Sequence, residues 1–268
     1  MTDCNAAPTP SNGYVLSKSD CPEVPNLLER ALYQRMVGSL NYAAISVRPD
    51  IAFAVNTLAR YMQNPGPAHL IACKRVFRYL KGTPEMGLML GQHNHSQRPL
   101  SITVWSDSDY SNNLDDRRSV TGYIVQVNGS VISWASKRQS TTTTSTCEAE
   151  YYALSAAVSE VKWVRMFLRE LLSFEHSVII PPSSFIVQAK VDNTSAIDIS
   201  KNDVHHGRTK HIDIRHHHIR EAMEKNQLLV EHVPTQHQLA DILTKGLGRI
   251  AFEKLRSSIM VGSSSGCI

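Results

Sequence analysis

Five acids stand out by their positions at strand ends, in a first helix turn and on an apolar helix face. Asp107 closes an alternating apolar run, ITVWSDSDY, that reads as a strand of period two. Asp192 closes a second such run, FIVQAKVD. Glu148 and Glu150 fall in the first turn of a long helix, EAEYYALSAAVSEVKWVRMFLREL. Asp241 lies in TQHQLADILTKGL, which reads as a helix, beside apolar Leu239, Ile242 and Leu243. An acid at the end of a core strand or on an apolar helix face needs a partner or a metal. Taken singly, each has a plainer role: Asp107 can start a turn, and the helix acids can complement the helix dipole. Placed together, the carboxylates repel one another, so the cluster needs cations. Oxygen ligands with few histidines suit magnesium or manganese better than zinc. Two such ions about 4 Å apart can activate a water and stabilise the leaving oxygen of a phosphodiester. That chemistry calls for carboxylates, not for a nucleophilic Ser or Cys.

The elements that must position these acids follow in order. Residues 101–134 read as a three-stranded antiparallel meander: a strand ending at Asp107, the polar connection SNNLDDRRS, the strand TGYIVQV, Asn128-Gly129 as a hairpin signal, then SVISWAS. A Ser/Thr-rich loop over 135–145 precedes the long helix, which Ser145 or Thr146 can cap. In that helix Tyr151, Leu154, Val158, Val161, Val164, Leu168 and Leu171 repeat at three and four, so one stripe packs on a sheet. After the strand to Asp192, Asn193 or Thr194 begins a helix. A polar, His-rich loop, a helix ending near Asn226, the strand QLLVEHVP and the Asp241 helix complete the run. The plan is α/β, a mixed sheet flanked by helices, over residues 98–260. The last residues, 261–268, read as a disordered tail.

Ahead of a boundary near residue 97, residues 27–97 read as a small helical region of three helices. Leu28, Leu32, Met36, Leu40 and Ala44 line the first. Pro49 opens the second, and Gly82 stops the third. On the third, Lys74, Arg75, Arg78 and Lys81 fall on one side, either as a solvated face or as a stripe for phosphates. Arg117, Arg118, Lys137 and Arg138 flank the meander and offer the same alternatives. Residues 1–26, rich in Pro and small polar residues, read as a flexible or extended lead-in.

With 42% hydrophobic and 19% charged residues the chain has the composition of a soluble globular protein. A net charge of +4 is compatible with nucleic acid without proving it. Five scattered cysteines without a CxxC pair imply reduced thiols rather than a disulfide framework or a zinc site. No run approaches the roughly 20 apolar residues of a membrane span, and MTDCNAAPTPSNG lacks the features of a signal peptide. An intracellular protein, cytoplasmic or nuclear, is expected. His216, His217 and His218 are consecutive on a helix, so they point in different directions and make a poor metal site.

The stretches WSDSDYSNNLDDRRSVTGYIVQVNGSVISWASKRQ, STCEAEYYALSAAVSEVKWV, VDNTSAI, GRTKHIDIRHHHIRE and EHVPTQHQLADILTK, in this order, resemble the ribonuclease H domain of copia-type LTR retrotransposon polyproteins. The upstream YQRMVGSLNYAAISVRPDIAFAVNTLARYMQNP and HLIACKRVFRYLKGTPEMGL look like that family's reverse-transcriptase thumb and connection. The resemblance covers roughly residues 14 to 256 and implies a ribonuclease H-like fold. It also implies two-metal, Mg2+ or Mn2+ cleavage of the RNA strand of an RNA–DNA hybrid. It assigns Asp107, Asp192 and Asp241 to the metal set, with Glu150 as the helix acid because AEYYAL matches the family pattern better than CEA. Glu148 is the fallback, and Asp109 is read as a turn or supporting residue. His232 and His237 lie in the loop that carries a mobile histidine in cellular relatives, and neither matches that position. The implied partners are the hybrid and the palm and fingers of a parent polyprotein within a virus-like particle, and no membrane. The polymerase motif, aromatic-x-Asp-Asp, is absent, and Asp115-Asp116 stands in the wrong context, so DNA synthesis by this chain alone is not expected. Two other readings remain: a non-catalytic nucleic-acid-binding remnant, and an integrase-like metal nuclease, against which Asp241 speaks.

Overall fold

The structure is a computed structural model and describes residues 3–91, 100–111, 113, 115–143, 145–176, 185, 187–201, 218–225 and 227–262. Strands β1 (Ile102–Asp109), β2 (Val120–Val127) and β3 (Ser130–Arg138) form the expected antiparallel meander. Asn128 and Gly129 both take positive φ, 48° and 80°, the backbone that a two-residue hairpin turn of matching twist requires. Helix α4 (Thr146–His176) then crosses back, and β4 (Val187–Val191) and β5 (Leu228–His232) add in parallel beyond β1. The strand order is β3-β2-β1-β4-β5. This is the mixed sheet flanked by helices expected of a ribonuclease H-like fold.

One face of the sheet is covered by α4, α5 (Thr194–Lys201) and α6, whose described part is 218–224. Tyr151, Leu154, Val158, Val161 and Val164 of α4 meet Ile102, Val104, Val187 and Ala189 there. The stripe fades at its far end, where Leu171 is exposed. The other face is covered by the upstream helices α1 (Leu27–Ser46), α2 (Ala52–Ala59) and α3 (Pro67–Lys81), together with α7 (Arg249–Ser257). Tyr33, Val37, Leu40, Val55, Leu58 and Tyr79 share one apolar cluster with Ile124 and Val131 of the sheet and with Leu243 and Phe252. Trp134 Nε1 donates to Ala44 O at 2.8 Å, and Asn56 Nδ2 donates to Ser136 O at 3.1 Å. The boundary expected near residue 97 therefore divides the sequence but not the core. The helical segment supplies the second layer that this sheet face needs.

Several local expectations change. In α1 the buried stripe is Tyr33, Val37, Leu40 and Ala44, while Leu28 is 84% exposed. The lead-in is extended, yet not free. Ala7 and Leu16 are buried, Ala7 N donates to Arg78 O, and Tyr61 Oη donates to Leu16 O at 2.7 Å. The segment 235–243 is not one helix but two 3-10 turns, Thr235–His237 and Leu239–Leu243. Gln238 between them is extended, and its buried side chain is committed elsewhere, as described below. The His-rich loop 202–217 and residues 263–268 lie outside the described residues. Among the described residues no helix is long and apolar enough to cross a membrane.

Candidate active site

The parallel register brings the first two acids together. Trp105 pairs with Lys190 across β1 and β4, so two residues further on Asp107 stands beside Asp192. β1 runs to Asp109, past the expected end at Asp107. Glu150 comes from the first turns of α4. Ser145 Oγ caps that helix by accepting from Glu148 N at 3.1 Å. Buried Gln139 fastens its start to the sheet: Gln139 Nε2 donates to Ala149 O and to Thr121 Oγ1, each at 3.0 Å. Asp107, Glu150 and Asp192 each offer a carboxylate oxygen within 4.8 Å of the other two. Glu148 is buried nearby but is not in this trio.

Asp241 reaches the site by a different device. Gln238 Nε2 donates to Ser106 O at 2.9 Å and Lys190 O at 3.3 Å, while its Oε1 accepts from Ala240 N. One side chain thus ties the 3-10 segment to the ends of β1 and β4. The segment presses on the sheet at Gly122, the residue paired with Asp107. A Cβ there would lie 2.6 Å from Thr244 Cγ2 and 3.0 Å from Ala240 O, so only glycine permits the approach. Thr244 Oγ1 then donates to Asp107 Oδ2, and Lys245 Nζ donates to Asp241 Oδ1 at 2.8 Å and lies 3.3 Å from Asp107 Oδ2. Asp241 is joined to the trio through Asp107 and Lys245 rather than being one of its three members.

The electrostatics are those of crowded acids. Asp107 is 1% exposed and Glu150 7%. Burial first, then repulsion from Asp107 and Asp192, pushes the Glu150 carboxyl up to about 9. Burial and Asp107 raise Asp241 to about 7, and the same two causes raise Asp192, which a hydrogen bond from Thr235 partly offsets. Lys245 is shifted upward despite its burial, because Asp107 and Asp241 hold its proton. Glu150 Oε2 is buried with no hydrogen-bond partner. An all-oxygen, one-signed donor set with an unpartnered buried oxygen fits a hard divalent cation.

The basic residues separate into two kinds. On α3, Arg75 donates to Thr9 Oγ1, Arg78 to Asn5 O at 2.7 Å and Lys81 to Cys4 O at 2.8 Å. Three of the four residues in the expected stripe therefore hold the lead-in, and Lys74 is exposed. Beside the meander, Asp116 pairs with Arg138 at 2.7 Å and Arg118 at 3.7 Å, whereas Arg117 and Lys137 are exposed. His232 and His237 are exposed. His218 is half-buried, and burial lowers its pKa. His205, His206, His216 and His217 lie outside the described residues. Sequence reasoning missed Gln139, Gly122, Gln238, Thr244 and Lys245. The i,i+4 spacing of Asp241 and Lys245 was a visible signal for one of them. The others act across the sheet and leave no local trace.

No family profile matches the chain. It is 38% identical over 268 residues to the retrovirus-related Pol polyprotein from transposon TNT 1-94 of Nicotiana tabacum, which covers 98% of this chain and 19% of that protein. It is 42% identical over 229 residues to the Pol polyprotein from transposon RE1 of Arabidopsis thaliana, covering 85% of this chain and 15% of that protein. The chain thus spans about a fifth or less of the length of these relatives. Among solved structures it is similar to LC11-RNase H1 isolated from compost, with a TM-score of 0.40 and 21% identity over 57% of this chain and 96% of that one.

Proposed function

The chain belongs to the retrovirus-related Pol polyproteins of copia-type transposons, and from that premise we propose that it cleaves the RNA strand of RNA–DNA hybrids with two divalent ions. The observation that carries this reading is the convergence of Asp107, Glu150 and Asp192 from two strand ends and a helix start. Asp107, Glu150 and Asp192 would hold the ions, with Asp241 completing the set beyond Asp107. Magnesium or manganese bound there would supply the charge that activates a water and stabilises the leaving oxygen. The chain's own part is positional. Gln139 and Gln238 fix the elements that carry the acids, and Thr244 orients Asp107. Lys245 balances Asp107 and Asp241 until a cation does so.

Substrate choice would rest on duplex shape, 2′-hydroxyls and backbone contacts. Arg117, Arg118, Lys137 and Arg138 beside the meander, and Lys74 on α3, are the cations offered to phosphates. The palm and fingers of a longer polyprotein are the protein partner, in an intracellular setting. The exposed apolar residues Leu28, Tyr42 and Ile45 on α1 support a covered surface there. A second reading, hybrid binding without cleavage, draws on Lys245 already pairing with two of the acids.

The test is cleavage of a labelled RNA–DNA hybrid in magnesium, in manganese and in EDTA, alongside Asp107→Asn. Metal-dependent cutting of the RNA strand alone, lost in the variant, is expected. Binding without cutting in either metal would leave the second reading standing.

A further inference from the structure

The catalytic acids leave a neighbouring polar feature unexplained. A cavity of about 150 Å³ lies between the lead-in, α2, α3 and the end of β1. Leu16, Phe53, Ala54, Leu58 and Val76 give it apolar walls, and Arg60 and Arg75 also line it. The Nε of each arginine is buried without a hydrogen-bond partner. Among the described residues neither guanidinium has a carboxylate within salt-bridge distance. Arg75 donates one Nη to Thr9 Oγ1 at 3.0 Å. Arg60 has no side-chain acceptor among the described residues. Burial lowers the pKa of both, and Arg78 adds to this at Arg75. Asp115 and Asp116 act on Arg60 only at a distance.

A partly buried guanidinium without an acceptor is costly, so its retention points to an acceptor supplied from outside. Guanidinium forks match phosphate oxygens. An apolar cavity of this size holds about one six-membered ring. A ring and a phosphate in one ligand describe a single nucleotide.

We propose that this cavity binds one nucleoside monophosphate unit, its phosphate against Arg60 and Arg75 and its ring on the apolar wall. Asp109 and Gly246 also line the cavity, close in sequence to Asp107 and Lys245. A free mononucleotide and the end of a nucleic-acid strand therefore share the chemistry it selects. The site uses none of the catalytic acids and does not depend on the two-metal reading.

The test is calorimetric titration of the full chain in EDTA, so that no metal at the acids can capture phosphate. The probes are dCMP, deoxycytidine, inorganic phosphate and a short single strand with a 5′-phosphate on a pyrimidine nucleotide. Binding of dCMP is expected, with deoxycytidine and phosphate each weaker. Arg60→Gln should weaken dCMP at least about tenfold, as expected for one charge-assisted hydrogen bond. Ala54→Leu should also weaken it, by filling the apolar wall while keeping both cations. Asp107→Asn should leave it unchanged. Thermal melts establish that each variant is folded. Tighter binding of the 5′-phosphorylated strand than of dCMP identifies a strand end as the occupant, and equal or weaker binding identifies the free nucleotide. No dCMP binding at millimolar concentration overturns the proposal, as does binding that survives both Arg60→Gln and Ala54→Leu. So does binding lost in Asp107→Asn but kept in Arg60→Gln, which would place the ligand at the acids.

Discussion

Two buried clusters of ionisable groups in this chain are built on opposite principles. Around Asp50 every carboxylate oxygen is answered. Arg48 donates to both carboxylate oxygens at 3.0 and 2.8 Å, Tyr79 Oη donates to Oδ2 at 2.5 Å, and Arg256 Nη1 donates to Tyr79 Oη at 3.0 Å. Two further Arg48 protons go to Thr83 O and Oγ1. This network links the upstream helices to α7 and leaves no oxygen of Asp50 spare. Around Asp107 four acids share one ammonium, Lys245, and Glu150 Oε2 has no partner. The first cluster is a structural tie, and the second is a set of crowded acids suited to a cation. Burial alone does not separate the two; the partners of the carboxylate oxygens do.

The contrast is broken or upheld most directly by neutralising one acid in each cluster. Asp107→Asn should lower hybrid cleavage at least about a thousandfold, the several kcal/mol expected from a metal ligand at about 1.36 kcal/mol per tenfold. Its melting temperature without metal should hold or rise, because repulsion is relieved. Asp50→Ala should do the reverse. Leaving the Arg48 cation buried and unpaired costs about 3–5 kcal/mol of stability. The folded fraction should still cleave at the native rate. Equal loss of stability in both variants would erase the distinction.

Gly122 tests whether the second cluster depends on close approach rather than on its acids alone. Gly122→Ala forces the 239–245 segment off the sheet, since Thr244 Cγ2 and Ala240 O are too near. The expected cost is about 1–3 kcal/mol, the usual range for an overpacked contact. A drop in cleavage beyond what the unfolded fraction explains should accompany it. Native cleavage by a destabilised Gly122→Ala would show that Asp241 and Lys245 need not be held at this distance.

A smaller effect separates the clusters by pH. The Glu150 pKa in the fold is raised, so the folded chain holds this proton more tightly than the unfolded chain does. Stability from this group is full below the ordinary carboxylate range near 4.5 and is lost as pH rises toward about 9. The metal-free protein should therefore melt at a lower temperature at pH 8 than at pH 5. Magnesium should remove most of that difference by favouring the ionised carboxylates. Glu150→Gln should flatten the slope, and an unchanged slope in that variant would assign it to other groups.

The parts of this arrangement that could be read from the sequence are those set by neighbours in the chain. Strand periodicity placed Asp107 and Asp192 near strand ends, Asn128-Gly129 marked the hairpin, and Ser145 marked the start of α4. The parts that could not be read are set across the sheet. Nothing local to Gln238 says that its amide joins β1 to β4, and that commitment replaces the expected helix over 235–247 with two short turns. Nothing local to Gly122 says what lies above it. The helices before residue 97 looked separate because their apolar spacing is self-consistent, yet they bury that face on the sheet. The α3 basic residues made a regular stripe, and the docked lead-in uses three of them.

That last point gives the smallest predicted effect, and it carries the contrast between answered and unanswered charge out to the surface. A cation pinned to a backbone carbonyl is held toward the lead-in and is less free to turn to a phosphate than an exposed one. Lys74 and Lys137 are exposed, and Arg78 is bonded to Asn5 O. In hybrid binding measured against salt, each phosphate contact contributes a slope of about 0.9 in log K against log salt for a duplex. Lys74→Ala and Lys137→Ala should each reduce the slope by about that amount if their side chains meet the hybrid. Arg78→Ala should leave the slope unchanged and instead loosen the lead-in, read as faster proteolysis within residues 1–26. A reduced slope in Arg78→Ala with no change in proteolysis would mean that the lead-in gives way to nucleic acid, and that this surface belongs with the unanswered charges.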